Sequence, residues 1–102
     1  MTQFKNVAID VNANIYFDGK VTSRTVTFED GSTKTLGVML PGDYEFNTAA
    51  KELMEINAGE LTVLLPDSEW QTIVAPDSFY VPANASFKLK VTKTADYCCS
   101  YL

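Results

Sequence analysis

The chain has 102 residues, 46% of them hydrophobic and 12% aromatic, which is enough for one domain that buries roughly two-thirds of its unfolded surface without disulfide staples. A net charge of −5 and a lone arginine, Arg24, exclude nucleic acid as a partner, because neutralising a phosphate backbone takes clustered Lys and Arg. There is no membrane-length apolar run and no basic segment leading into a hydrophobic one at the start, and the adjacent Cys98 and Cys99 are poorly placed for a disulfide. The expectation is a soluble, cytoplasmic single domain over 1–102 with no membrane contact.

Residues 1–13 read as an N-terminal extension or loop, with Asn12 and Asn14 leading into apolar Ile15, Tyr16 and Phe17 before an Asp18-Gly19 turn. The β-branched run 20–28 predicts a strand, 29–32 a hairpin turn, and 33–40 the returning strand, which Pro41-Gly42 ends. Residues 43–47 alternate strictly, with Tyr44 and Phe46 on one face and Asp43 and Glu45 on the other. The stretch 48–56 has helical composition but is short and flanked by strands. A strand over 55–65, with a tight turn inside it at 57–60, is the preferred reading. Further strands are expected at 70–74, 78–81, 86–92 and 97–102, separated by turns at 66–68, 75–77 and 82–85. Many short strands at close spacing, without repeats or linkers, predict an all-β sandwich or barrel.

The residues 37–59 carry a glycine-bounded pattern: Gly37, five residues, Asp43, one residue, Glu45, then Glu52, six residues, Gly59. This is the spacing of the first cupin motif, with carboxylates where two histidines would stand. The second motif keeps its spacing at Pro76, Pro82, Asn84 and Phe87 but loses its glycines and its histidine. The fold class expected is therefore a cupin-type β-barrel, a double-stranded β-helix of the jelly-roll kind. The chain contains no histidine at all, which removes the commonest general base and the commonest transition-metal ligand. No metal site is expected, and Cys98 and Cys99 read as buried small residues rather than nucleophiles.

Asp43, Glu45 and Glu52 are the sharper candidates. Alternation alone puts Asp43 and Glu45 on a solvated face. The motif spacing instead points all three into the barrel, where a carboxyl group must find a partner or a proton; the inward reading is the expectation adopted. Phe87, standing where a fourth ligand would sit, offers a ring to stack on a planar ligand, although from its alternation with Leu89 and Val91 alone it reads as ordinary core. Lys20 and Arg24 share a strand face by period two and are the cations that could receive phosphate.

Beyond the motif, the strings YFDGKVTSRT, TLGVMLPGDYEFNTAAKELMEINAGELTVLLP, EWQTIVAPDSFYVPANASFKLKV and the ending YCCSYL closely resemble the small cupin-type pyrimidine/purine nucleoside phosphorylases, from about Asn14 onward. The resemblance implies a homodimeric barrel that splits nucleosides with inorganic phosphate into free base and pentose 1-phosphate. No cofactor is implied, phosphate being a co-substrate. Members of that family end in Cys-Arg-Tyr and carry glycine at the position of Pro76, whereas here Ser100 replaces the arginine. Under this resemblance Asp43, Glu45 and Glu52 take the catalytic roles, Tyr44, Phe87, Asn84 and Ser86 contact base or ribose, and Lys20 with Arg24 hold phosphate. The competing reading is a non-catalytic cupin that senses or carries a nucleoside or sugar.

Overall fold

A computed structural model describes residues 2–102. In chain order it comprises β1 (Ala8–Ile9), β2 (Asn14–Tyr16), a 3-10 turn (Phe17–Gly19), β3 (Val21–Thr27), β4 (Thr33–Met39), β5 (Gly42–Asn47), β6 (Glu52–Leu64), β7 (Gln71–Val74), β8 (Asp77–Val81) and β9 (Ser86–Tyr101). Part of the expected N-terminal loop is thus strand, since β1 pairs with the end of β3. No helix is long and apolar enough to cross a membrane among the described residues.

The nine strands form one antiparallel sheet organised on β9, which is 16 residues long. One edge of β9 holds β5 along Ser86–Val91 and then β4 along Ala95–Ser100; the other edge holds β6 throughout. The strands expected separately at 86–92 and 97–102 are therefore one continuous strand. Likewise the tight turn expected at 57–60 is absent: β6 continues through it paired with β9, and the register shifts between Ile56 and Leu61 leave extra residues first on β6 and then on β9. The extra residues bend the strand and sharpen its twist, and the bend folds one half of the sheet over the other. At this corner Gly59 has φ +94 and lies against the backbone of Thr94 and Ala95.

The sheet is cupin-like but its hydrogen-bond ladder stays open rather than closing into a full barrel. Side chains do the closing. Phe17 packs on Tyr44 at 4.9 Å and on Phe46 at 5.4 Å, joining the β2 end of the sheet to β5. Both halves then contribute to one core, in which Met39, Ile56, Leu61, Val63, Val81 and Leu89 are almost fully buried. The alternation that the strands show in sequence is what supplies this inner face.

Candidate functional site

A cavity of about 390 Å³ opens between the two halves of the sheet. Its lining combines apolar Phe46, Phe87 and Leu89 from β5 and β9, and Met39 and Met54, with the polar side chains of Ser23, Thr35, Glu52, Tyr97, Cys99 and Tyr101. Ladder register explains the polar set. Ser23 pairs with Gly37 and Gly37 with Tyr97; Thr35 pairs with Cys99 and Cys99 with Met54; Tyr101 pairs with Glu52. Directly paired residues project to the same side of a sheet, so these side chains stand in adjacent rows on the inner face.

Glu52 is held in place from several directions. The Leu102 N–H donates to the Lys51 carbonyl at 2.8 Å, tying the C-terminus to the start of β6. Thr48 anchors the connection before it, donating to the Pro82 carbonyl at 2.7 Å and accepting from the Ala85 N–H at 3.0 Å. The Cys99 thiol then donates to Glu52 Oε1 at 3.4 Å. Beside it the Thr35 and Tyr101 hydroxyls share a 3.2 Å hydrogen bond.

Burial raises the Glu52 carboxyl above the ordinary carboxylate range, and the Cys99 contact offsets part of that rise. Burial, followed by the neighbouring Glu52 charge, pushes the Cys99 thiol up to about 12. Burial likewise pushes the Tyr97 phenol up to about 12, against a lowering by Ser23. Cys99 is thus a neutral hydrogen-bond donor near neutral pH, not a thiolate nucleophile.

A raised folded-state pKa means that Glu52 favours the fold fully below its unfolded pKa, and that this contribution is lost as pH rises through the folded value. Glu52→Gln should therefore be more thermostable than the parent at pH 8, with the gap shrinking toward pH 4. Melting curves of both proteins across that range check this, and a gap that is constant with pH would contradict it.

The structure separates the residues nominated from sequence. Glu52 and Phe87 line the cavity. Asp43 and Glu45 do not: both are exposed on the outer face of β5, because Tyr44 and Phe46 take the inner positions of that alternating strand. Apolar burial outweighs the motif spacing, since two inward carboxylates would forfeit both the aromatic packing and their own hydration. Tyr44 is buried and donates to the Leu40 carbonyl at 2.6 Å, so its hydroxyl is engaged with backbone. Ser86 is exposed and donates to Glu45 Oε1 at 2.9 Å, outside the main cavity. Asn84 is exposed in the β8–β9 turn with φ +53. Lys20 and Arg24 are exposed, Arg24 pairing across to Leu36 on the outer face.

Neither cation lines the cavity. Changing Lys20 or Arg24 to alanine should accordingly leave the phosphate dependence of any activity unaltered; a raised KM for phosphate in either variant would return that residue to the site. Ser100, which stands where the resembled family has arginine, projects away from the cavity between inward Cys99 and Tyr101, and its Oγ is buried without a partner. Pro76 lies in the β7–β8 connection, also off the cavity wall. Both departures therefore leave the lining intact.

Sequence reasoning passed over Ser23, Thr35, Tyr97, Cys99 and Tyr101. The available signal was period two: Ala95, Tyr97, Cys99 and Tyr101 share one strand face, as do Val21 and Ser23. Small polar residues at otherwise inward positions mark a site rather than a core.

The chain is similar to known proteins in both sequence and fold. The model of the pyrimidine/purine nucleoside phosphorylase family matches residues 11–101. A pyrimidine/purine nucleoside phosphorylase of Chlorobium chlorochromatii (strain CaD3) is 67% identical over 102 residues, covering 100% of this chain and 99% of the relative. A crystal structure from Acinetobacter sp. ADP1, described as a protein of unknown function, is 43% identical, covers 98% of each chain and superposes with TM-score 0.93. A cupin superfamily protein from Desulfitobacterium hafniense DCB-2 shares the fold at 17% identity and TM-score 0.66, covering 90% of this chain and 84% of that one.

Proposed function

The chain belongs to the pyrimidine/purine nucleoside phosphorylase family, and from that premise we propose that its cavity splits purine and pyrimidine nucleosides with inorganic phosphate into free base and pentose 1-phosphate. The observation that carries this reading is the pairing, in one cavity, of an apolar aromatic lining with the Glu52 carboxyl and a set of hydroxyls. An apolar lining suits a planar base, and hydroxyls suit a sugar and phosphate.

In the reaction the glycosidic C–N bond breaks with its electron pair leaving on the base, which takes up a proton from solvent to become the free base. Positive charge gathers on the sugar, and a phosphate oxygen forms the new bond to C1′. Phosphate is already an anionic nucleophile, so the absence of histidine is no obstacle and no cofactor is called for. The half-buried Glu52 carboxylate opposes the oxocarbenium-like charge, and a bound nucleoside displaces the water that would weaken that stabilisation. Whichever of the Thr35 and Tyr101 hydroxyls does not donate to the other, together with the Asn47 amide, is available as a donor to phosphate and sugar oxygens. Cys99 orients Glu52. The exposed Asp43 and Glu45, and the Lys20 and Arg24 pair, take no part in this proposal.

Homodimer formation and action in the cytoplasm belong to the same proposal. The outer face of β4 and β8 supports the dimer, since Leu36, Val38 and Tyr80 are left exposed there. Sedimentation of the parent and of Val38→Glu distinguishes a dimer on this face from a monomer.

The decisive assay follows base release from a panel of nucleosides with and without phosphate. Phosphate-dependent release with pentose 1-phosphate as co-product is the expected result. Release without phosphate would mean a hydrolase, and binding without product a ligand carrier.

A further inference from the structure

Tyr97 occupies an unusual place in the cavity. A side chain at Gly37 would put a Cβ 2.7 Å from the Tyr97 Cζ and hydroxyl oxygen, so the phenol lies flat across β4 only because Gly37 has none. That path carries the hydroxyl toward Ser23, the next residue in the same row, and the row continues to Asn14 on β2. Asn14 Nδ2 donates to Ser23 Oγ at 3.2 Å and lies 3.4 Å from Thr25 Oγ1. With its oxygen accepting from Asn14, Ser23 keeps its own O–H free to donate to the phenol oxygen beside it in the row. Tyr97 is itself one of the residues lining the cavity, so with its oxygen accepting from Ser23 its O–H is free for a ligand there.

Depth along β9 says what it meets there. Tyr101 at the end of β9 is 43% exposed, whereas Tyr97 is 7% exposed and lines the cavity with the apolar Met39 and Leu89. A nucleoside entering past Tyr101 and Glu52 places its sugar beside the carboxylate and its base, the flatter and less hydrated part, deeper. We propose that Tyr97 is the hydrogen-bond donor to the departing base, with Asn14, Ser23 and Gly37 as the positioning residues that aim it. The inference rests on the phosphorolysis reading above and names the group acting on the opposite side of the bond from Glu52. A rotating hydroxyl can meet an acceptor on either a purine or a pyrimidine, and it withdraws charge from the base as the glycosidic electron pair arrives there. No proton need leave Tyr97, so no separate step to restore it is required.

The test measures kcat and KM of the parent, Tyr97→Phe and Ser23→Ala over nucleosides whose bases differ in leaving ability. Tyr97→Phe should lower kcat about 10²-fold, most for the poorest leaving base, with a melting temperature near that of the parent. Ser23→Ala should lower kcat less, with the same ordering across bases. An unchanged kcat in Tyr97→Phe, or an equal loss for every base, would overturn the assignment. Should Tyr97→Phe fail to fold, Ser23→Ala decides by itself, and full activity there would overturn it. Absence of phosphate-dependent turnover in the parent would instead bring down the functional reading, and this proposal with it.

Discussion

Replacing Glu52 by glutamine is expected to cut kcat for phosphorolysis by about 10²–10³-fold, the usual cost of removing one preorganised electrostatic contact from a transition state. The change keeps the size of the side chain and leaves an oxygen to accept from Cys99, so the fold should survive and KM should move little. What disappears is the negative charge, which matters only as positive charge develops on the sugar. Glu52 is the single carboxylate among the cavity-lining residues, so nothing nearby can substitute for it. Because burial holds its pKa above the ordinary carboxylate range, the ionised form appears only as pH rises through that raised value. The kcat of the parent should climb across that window, and Glu52→Gln should lack the climb. Stability moves the opposite way over the same range, which separates the carboxyl's catalytic use from its structural cost. Glu45→Gln, on the outer face, serves as the matched control and should retain parent kcat. Full turnover in Glu52→Gln would remove the carboxylate from the mechanism.

The largest structural effect is expected at the sheet corner. Gly59→Ala should destabilise the fold by roughly 2–6 kcal/mol, combining left-handed backbone strain with overpacking. The added Cβ would lie 2.2 Å from the Thr94 carbonyl oxygen and 2.8 Å from both the Lys93 carbonyl and Ala95 Cα. All of these are backbone atoms of β9, which cannot swing aside as a side chain would. With domain stabilities of about 5–15 kcal/mol, a loss of this size removes a large share of the total. The corner also sets the register of β6 against β9 on its Glu52–Tyr101 side, so activity should fall with stability. Urea denaturation of Gly59→Ala beside Gly31→Ala makes the comparison, since Gly31 has φ +87 but nothing within 4 Å of a built Cβ. Equal losses in the two variants would show that backbone strain alone, and not the close approach at the corner, sets the cost.

Local chemistry made much of this protein readable in advance. Alternation placed Tyr44 and Phe46 on one face of β5 and Phe87, Leu89 and Val91 on one face of β9, and the turn residues at 29–32, 66–68 and 82–85 fell between strands. The recognisable strings carried family and reaction, and the comparisons bear both out. Of the residues nominated, Glu52 and Phe87 line the cavity. What the sequence alone left open was which of two faces a polar residue occupies. For Asp43 and Glu45 the motif spacing pointed inward, but a face is settled by which set of side chains gains more from leaving water, and the aromatic set did.

The same limit explains why β6 and β9 both run unbroken, bulged against each other. Asn57-Ala58-Gly59-Glu60 has turn chemistry, yet pairing with a long neighbouring strand satisfies its backbone groups better than a turn there would. Nor could spacing along the chain reveal that Ser23, Gly37 and Tyr97 form one row, or that Glu52 meets Cys99 47 positions away. Such rows exist only once three strands have settled their register. Composition and alternation are properties of single strands, so they determined the class and the core, while the resemblance of whole strings carried the family. A site built across strands is a property of their pairing, and only the tertiary structure decided it.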